Sequence, residues 1–341
     1  MRPTNNRQVF LSSRPAGIPR AENFSLRDAE VPQIADGEIL IRNHFLSADP
    51  AMRGWISDVG GYWPQVAIGE TMRAFAVGEV VQSRRPEYAV GERLMGIFGW
   101  QDYAAASGKH VLMKVPEGDL SLSLYLGVLG LNGLTAYFGL LDVGGPKDGD
   151  TVIVSTAAGA VGSCVGQIAK LRGCRTVGIT GGPAKVRQCL DEFGYDVAID
   201  YKSSLDLDAD LKAACPNGVD IYYDNTSGPI SDAVMRHLHI GARVIICGTA
   251  AYASWNPWNT GPRPERHLIV KRATMRGFLA TDYVARYAEA LEVLSTWVRQ
   301  GKVRYAEEVL EGIERAPESI ERLYRGDHAG KLLIDLQTGR F

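Results

Sequence analysis

The sequence predicts an α/β protein of two domains, one small and mostly β, the other a doubly wound parallel sheet. Three observations predict it. Residues 1–122 carry short apolar runs punctuated by Pro and Gly, the pattern of a partly barrel-like β domain. From residue 123 short apolar strands alternate with helices, which implies right-handed crossovers and a parallel sheet. TVIVSTAAGAVGSCVGQIAK, residues 151–170, runs from a strand through a glycine-rich turn into a helix, a place built to hold a phosphate.

In the first domain EILIRNHFLS (38–47), AFAVGEVVQS (74–83) and YAVGERLMGIFGWQDYAAA (88–106) supply strands, the last broken by Gly-Glu and Gly-Trp turns. The apolar run LYLGVLGLNGLTAYFGLLDVGG (124–145) reads as a buried helix. Glycines, Asn132 and Thr135 interrupt it, and no basic flank follows, so it does not read as a membrane span. The second domain takes its strands from TVIVST, RTVGIT, VAID, VDIYYDN, RVIICGT and TMRGFLA. Its helices start near Ala160 and at PAKVRQCLDEFG (183–194), DAVMRHLHIG (232–241) and YVARYAEALEVLSTWVRQG (283–301). The domains are placed at 1–122 and 123–301, with 302–341 returning to the first as short strands.

With 341 residues the chain is too long for one ordinary core, and 45% apolar with 22% charged residues is common globular composition. A net charge of -2 gives no general attraction to nucleic acid or to an anionic membrane. Cys164, Cys174, Cys189, Cys215 and Cys247 include no C-x-x-C pair, and read as buried thiols of a reduced cytoplasmic protein. The opening MRPTNNRQVFLSSRP is polar and lacks the apolar centre of a signal peptide.

The turn at 157–162 departs from G-x-G-x-x-G only in its first position, where Ala157 precedes Gly159 and Gly162. Gly159 lets backbone approach a pyrophosphate and Gly162 lets helix pack on strand. Ala157 asks only that its own φ stay negative. The backbone of Ala158, Gly159, Ala160, Val161 and Gly162 then faces the anion at the positive end of the helix dipole. Val161, Val165, Ile168 and Ala169 are spaced to bury that helix. An NAD site carries Asp or Glu after the second strand, to bind the ribose hydroxyls. Here Thr180, Gly181 and Gly182 stand there, and Lys185 follows, so the cofactor expected is NADP(H). As an alternative, Lys185 is an exposed lysine of a first helical turn.

Taken together, AAGAVGS, TGGPAK, AIDYK, YYDNTSG, VIICGT and MRGFL, with SADPAMRG and GLTAYFGLLDVG upstream, resemble the zinc-free medium-chain dehydrogenase/reductases. The likeness is greatest to the branch of prostaglandin, curcumin and alkenal double-bond reductases. It implies a GroES-like β domain, a Rossmann domain, and NADPH held between them. It assigns Lys185 and Tyr201 to the adenosine 2′-phosphate and lays Asn225 along the cofactor. Thr135, the loop Cys247, Gly248, Thr249 and the backbone of Phe278, Leu279 and Ala280 go to the nicotinamide end. Two departures fall at the substrate pocket. The loop CGTAAYASWNPWNTGP is longer than the family's and shifts its tyrosine to Tyr252, and GDHAGK puts His328 where the family has asparagine.

Zinc-dependent relatives use a cysteine and a Gly-His-Glu pair, whereas AIGETM occupies that region here and the six histidines show no ligand spacing. His237 and His239 are expected on one helix at i, i+2, facing apart. No metal is expected. The chemistry then falls to the cofactor, and hydride transfer to the β-carbon of an α,β-unsaturated ketone or aldehyde suits it. The developing enolate oxygen needs a hydrogen-bond donor, for which Tyr252 and Tyr62 are the candidates beside the cofactor ribose. Tyr252 reads equally as a loop aromatic packed at a domain edge, and Trp255 and Trp258 as pocket lining or a dimer contact. Quinone reduction and NADPH binding without turnover are the alternative functions. A homodimer is expected, pairing along the edge strand TMRGFLA.

Overall fold

The computed structural model describes residues 5–59 and 61–337 and divides into two units. One holds residues 1–130, 253–257 and 307–341, the other 131–252 and 258–306. Residues 1–4 of the polar opening stretch lie outside the described ones.

The first unit opens with β1 (Asn5–Leu11) and β2 (Phe24–Glu30), an antiparallel pair. Next come β3 (Glu38–Ser47), the short helix α1 (Ala51–Trp55), β4 (Phe75–Ser83), β5 (Arg93–Ile97), β6 (Tyr103–Ser107) and β7 (Val111–Lys114). Chain order resumes in this unit with β14 (Glu307–Glu311), α9 (Ala316–Arg325) and β15 (Lys331–Asp335). These make a seven-stranded sheet in the order β14-β15-β3-β4-β5-β7, with β6 also on β3. β4 runs along one edge of β3 while β6 (on Glu38–Arg42) and β15 (on Phe45–Ser47) share the other, and the β3–β4 ladder shifts register at Leu40/Ile41 and Asn43/Phe45. Such irregularities bend a strand and curl its sheet. Ile39, Ile41, Leu46, Val77, Val80, Leu94, Leu333 and Ile334 are fully buried in it. The reading of 302–341 as strands alone missed α9. Its amphipathic run APESIERLYR is stopped by Gly326 at φ 75.

The second unit is a six-stranded parallel sheet in the order β10-β9-β8-β11-β12-β13. Its strands are β8 (Thr151–Ser155), β9 (Arg175–Thr180), β10 (Val197–Asp200), β11 (Val219–Asp224), β12 (Leu238–Ile246) and β13 (Thr274–Gly277). The helices are α2 (Leu131–Phe138), α3 (Ala160–Leu171), α4 (Pro183–Arg187), α5 (Leu207–Ala214), α6 (Gly228–Val234), α7 (Glu265–Lys271) and α8 (Tyr287–Arg299). Strand order reverses between β8 and β11, and ligands of such sheets bind at that switch point. Ile153, Val177, Ile179, Val219, Tyr222 and Val244 form the core beneath it.

Four local expectations are corrected. The helix expected over 232–241 ends at Val234, a tight turn covers Met235–His237, and Leu238–Gly241 already belong to β12. His237 and His239 therefore share no helix. Val219 pairs with Leu238, so the sheet captures that stretch at its start. The run 124–145 is no single helix, because a turn over Leu122–Leu126 precedes α2 and a widened π turn follows at Gly139–Gly144. α8 begins at Tyr287, after a tighter turn over Ala280–Arg286. Val161 is only half-buried, while Gly162 to Ala169 are buried throughout. Among the described residues no helix is long and apolar enough to cross a membrane.

Candidate active site

Local sequence makes the turn between β8 and α3. Thr156 takes the left-handed conformation (φ 54), so Ala157 does not have to. Ala157 instead packs against β9, where a Cβ on Gly178 would come within 2.7 Å of its own. Gly159 caps α3 in extended conformation, φ -78 and ψ 171. A Cβ on Gly162 would lie 2.3 Å from the Thr156 carbonyl oxygen, so α3 presses directly onto the turn. The amides of Ala160, Val161 and Gly162 open α3 and have no acceptor within it. Backbone this bare at a helix start fits the pyrophosphate of a dinucleotide. Ala158 is buried just before it.

The ends of β8, β11 and β12 are tied together beside this turn. Asn225 donates its backbone N–H to Ser155 Oγ at 2.8 Å and its Nδ2 to the Ser155 carbonyl at 2.7 Å. One amide hydrogen of Asn225 is thus spent on structure. Asp224, fully buried, accepts from the N–H groups of Thr226 (2.9 Å) and Ser227 (2.8 Å). That holds Ser227 at φ 57, an unusual conformation for a non-glycine residue, from which its hydroxyl donates to the Gly248 carbonyl at 3.3 Å. Gly248 passes so close to Asn225 that a Cβ would sit 2.9 Å from its carbonyl oxygen. Thr249 accepts from the Tyr252 N–H at 3.0 Å. The Tyr252 ring packs on Gly228, with its hydroxyl 3.4 Å from where a Cβ there would be.

A third group of expected residues gathers on Tyr223, which the sequence reading left without a role. Its buried hydroxyl donates to the Thr135 carbonyl at 2.8 Å, and its ring meets Phe278 edge-on at 6.4 Å. The Cys247 thiol is within hydrogen-bonding reach of the same hydroxyl, and burial pushes its pKa up to about 12, so it stays protonated. Gly139 admits both rings, since a Cβ there would strike Phe278 at 2.4 Å and the Tyr223 hydroxyl at 2.5 Å. Thr135, Cys247 and Phe278 are therefore neighbours. Leu279 and Ala280 continue from Phe278, and Ala280 accepts from the Tyr287 hydroxyl at 3.1 Å. Only a pattern of large aromatics at a strand's C-terminal end could have flagged Tyr223.

At the end of β9, Gly181 lies under Tyr201, whose ring would be 3.0 Å from a Cβ placed there. Lys185 sits half-buried on α4. No carboxylate side chain stands among Thr180, Gly181 and Gly182. That donor set suits a phosphate better than a ribose hydroxyl. Tyr62 and His328 belong to the first unit. Tyr62 is 59% exposed and rests edge-on against Trp63, which stacks on Trp55 at 5.1 Å. His328 is half-buried in the turn before β15, beside the Glu308 carboxyl, which, against its partial burial, the Ala329 N–H and Arg322 hold below the usual range. Among the described residues no three His, Cys, Asp or Glu side chains group as a metal site.

Residues 7–115 match the model of the N-terminal domain of oxidoreductase, and residues 160–296 that of the zinc-binding dehydrogenase. The donors for the metal in that second description are not assembled among the described residues. The NADPH-dependent curcumin reductase of Escherichia coli (strain K12) is 42% identical over 336 residues, 96% of each chain. A 2-alkenal reductase (NADP(+)-dependent) of Nicotiana tabacum is 36% identical over 335 residues, 97% of each. The crystal structure of CurA in complex with NADPH from Vibrio vulnificus superposes with a TM-score of 0.91 at 42% identity, covering 96% of this chain and 98% of that one. By full-length likeness in sequence and fold, this chain belongs to the medium-chain dehydrogenase/reductases, in the branch of the curcumin, prostaglandin and alkenal double-bond reductases.

Proposed function

We propose that this chain is an NADPH-dependent reductase that saturates the C=C bond of α,β-unsaturated ketones or aldehydes without a metal. The observation that carries it is the end-to-end match with an NADPH-dependent curcumin reductase and an NADP-dependent 2-alkenal reductase. When bound, NADPH supplies the hydride. The amides opening α3 bind the pyrophosphate, and Lys185 and Tyr201 the 2′-phosphate. Thr135, the loop Cys247–Thr249 and the segment Phe278–Ala280 orient the nicotinamide end. Asn225 holds the cofactor loops in register through Ser155 and Gly248. A tyrosine hydroxyl, Tyr252 before Tyr62, donates to the substrate carbonyl oxygen as charge moves onto it. Water delivers the proton to the α-carbon.

The test is steady-state NADPH oxidation with a simple enone, a quinone and no acceptor, repeated with NADPH deuterated at C4. Deuterium on the β-carbon of a saturated ketone is expected. Label on a carbinol carbon would sink the assignment, and turnover of the quinone alone would make it a quinone reductase.

We further propose a cytoplasmic homodimer. β13 is the edge of its sheet and every residue of it is exposed, with Met275 among them and Ile240 and Ile269 exposed on β12 and α7. An exposed sheet edge of this kind is protected by pairing with a second copy. The five cysteines are free thiols, as a reducing compartment keeps them.

A further inference from the structure

We infer that Lys202 is a second cation for the adenosine 2′-phosphate and so selects NADPH over NADH; this rests on the cofactor reading above. In a doubly wound sheet the adenosine ribose lies past the end of the second strand, here β9. The chain is bare there. A Cβ on Gly181 would come within 3.0 Å of Lys202 Cε and 3.3 Å of its Cδ, besides the Tyr201 ring. The Lys202 stem therefore runs across Gly181 in the space a side chain would fill.

That placement is built from the backbone. Asp200 Oδ1 accepts from the Gly182 N–H at 2.8 Å and the Lys202 N–H at 3.0 Å, so one oxygen joins the turn after β9 to the turn after β10. The Tyr201 N–H donates to the Thr180 carbonyl at 3.1 Å and closes the same junction. These backbone donors, that of Gly182 foremost, hold the Asp200 carboxyl below its usual range. That oxygen is thus taken up by backbone donors. Lys202 makes no ion pair among the described residues and is exposed, so its ammonium is available to an arriving dianion. As a mobile point charge it suits phosphate. Asp200 acts through it as a positioning residue.

The test is calorimetric titration of the full-length protein with adenosine 2′,5′-bisphosphate and with 5′-AMP. Lys202→Ala should weaken the bisphosphate about tenfold and leave 5′-AMP unchanged, as loss of a charge-assisted bond predicts. Lys202→Arg should recover most of the loss. Unchanged bisphosphate affinity in Lys202→Ala, or equal weakening of both ligands, would overturn the inference while wild-type discrimination still stood. A wild-type protein binding both ligands equally would overturn the NADPH reading and this inference with it.

Discussion

Gly162→Ala separates the two jobs that glycine does in the turn before α3. The added methyl would lie 2.3 Å from the Thr156 carbonyl oxygen and 2.9 Å from the Ala157 Cα, both backbone atoms that cannot swing away. Ordinary contact begins near 3.4 Å, so α3 must retreat by about 1 Å. It is poorly placed to do so, because Gly162 to Ala169 are buried. Overpacking of this kind costs about 1–3 kcal/mol. For a domain of this size each kcal/mol moves the midpoint by about 2–4 °C, so melting of Gly162→Ala should fall by roughly 2–12 °C. Gly159→Ala is the control. Its methyl would meet the Thr156 Cγ2 at 3.0 Å and carbonyl oxygen at 3.1 Å, at an unstrained φ of -78. Stability should stay within about 1 kcal/mol of wild type. NADPH affinity should nevertheless fall, since backbone approaches the pyrophosphate there. Differential scanning fluorimetry and NADPH fluorescence titration read the two effects. If Gly162→Ala melts as wild type, or Gly159→Ala is the less stable of the pair, the packing argument is wrong.

Three further outcomes are expected. Lys185→Ala should weaken NADPH by roughly ten- to a hundredfold, the worth of one or two charged hydrogen bonds, with NADH nearly unaffected in parallel titrations. Long dialysis against a chelator should leave enone reduction intact; activity lost and then restored by zinc would return the protein to the metal-dependent dehydrogenases. Light scattering at micromolar concentration should give twice the 37.1 kDa chain mass, and a monomer would count against pairing along β13.

The short-range features were legible in the residues themselves. Strand, turn and helix over 151–170 follow from local periodicity and from glycines that must sit where backbone meets an anion. The lack of an acid after RTVGIT is a fact of the residues alone, and it already points to the phosphorylated cofactor. Folding decided what depends on segments far apart in sequence. Leu238–Gly241 have helical spacing, yet pairing with β11 draws them into β12. Ala157 could replace a glycine only because Thr156 accepts the left-handed turn. Tyr223 is one more buried aromatic until α2, β12 and Phe278 converge on it. Lys202 is one more surface lysine until Asp200 joins two turns that lie 18 residues apart in the chain. Local propensity is written in neighbouring residues. A binding site needs groups from several strands at one sheet edge, and only the parallel sheet brings those edges together.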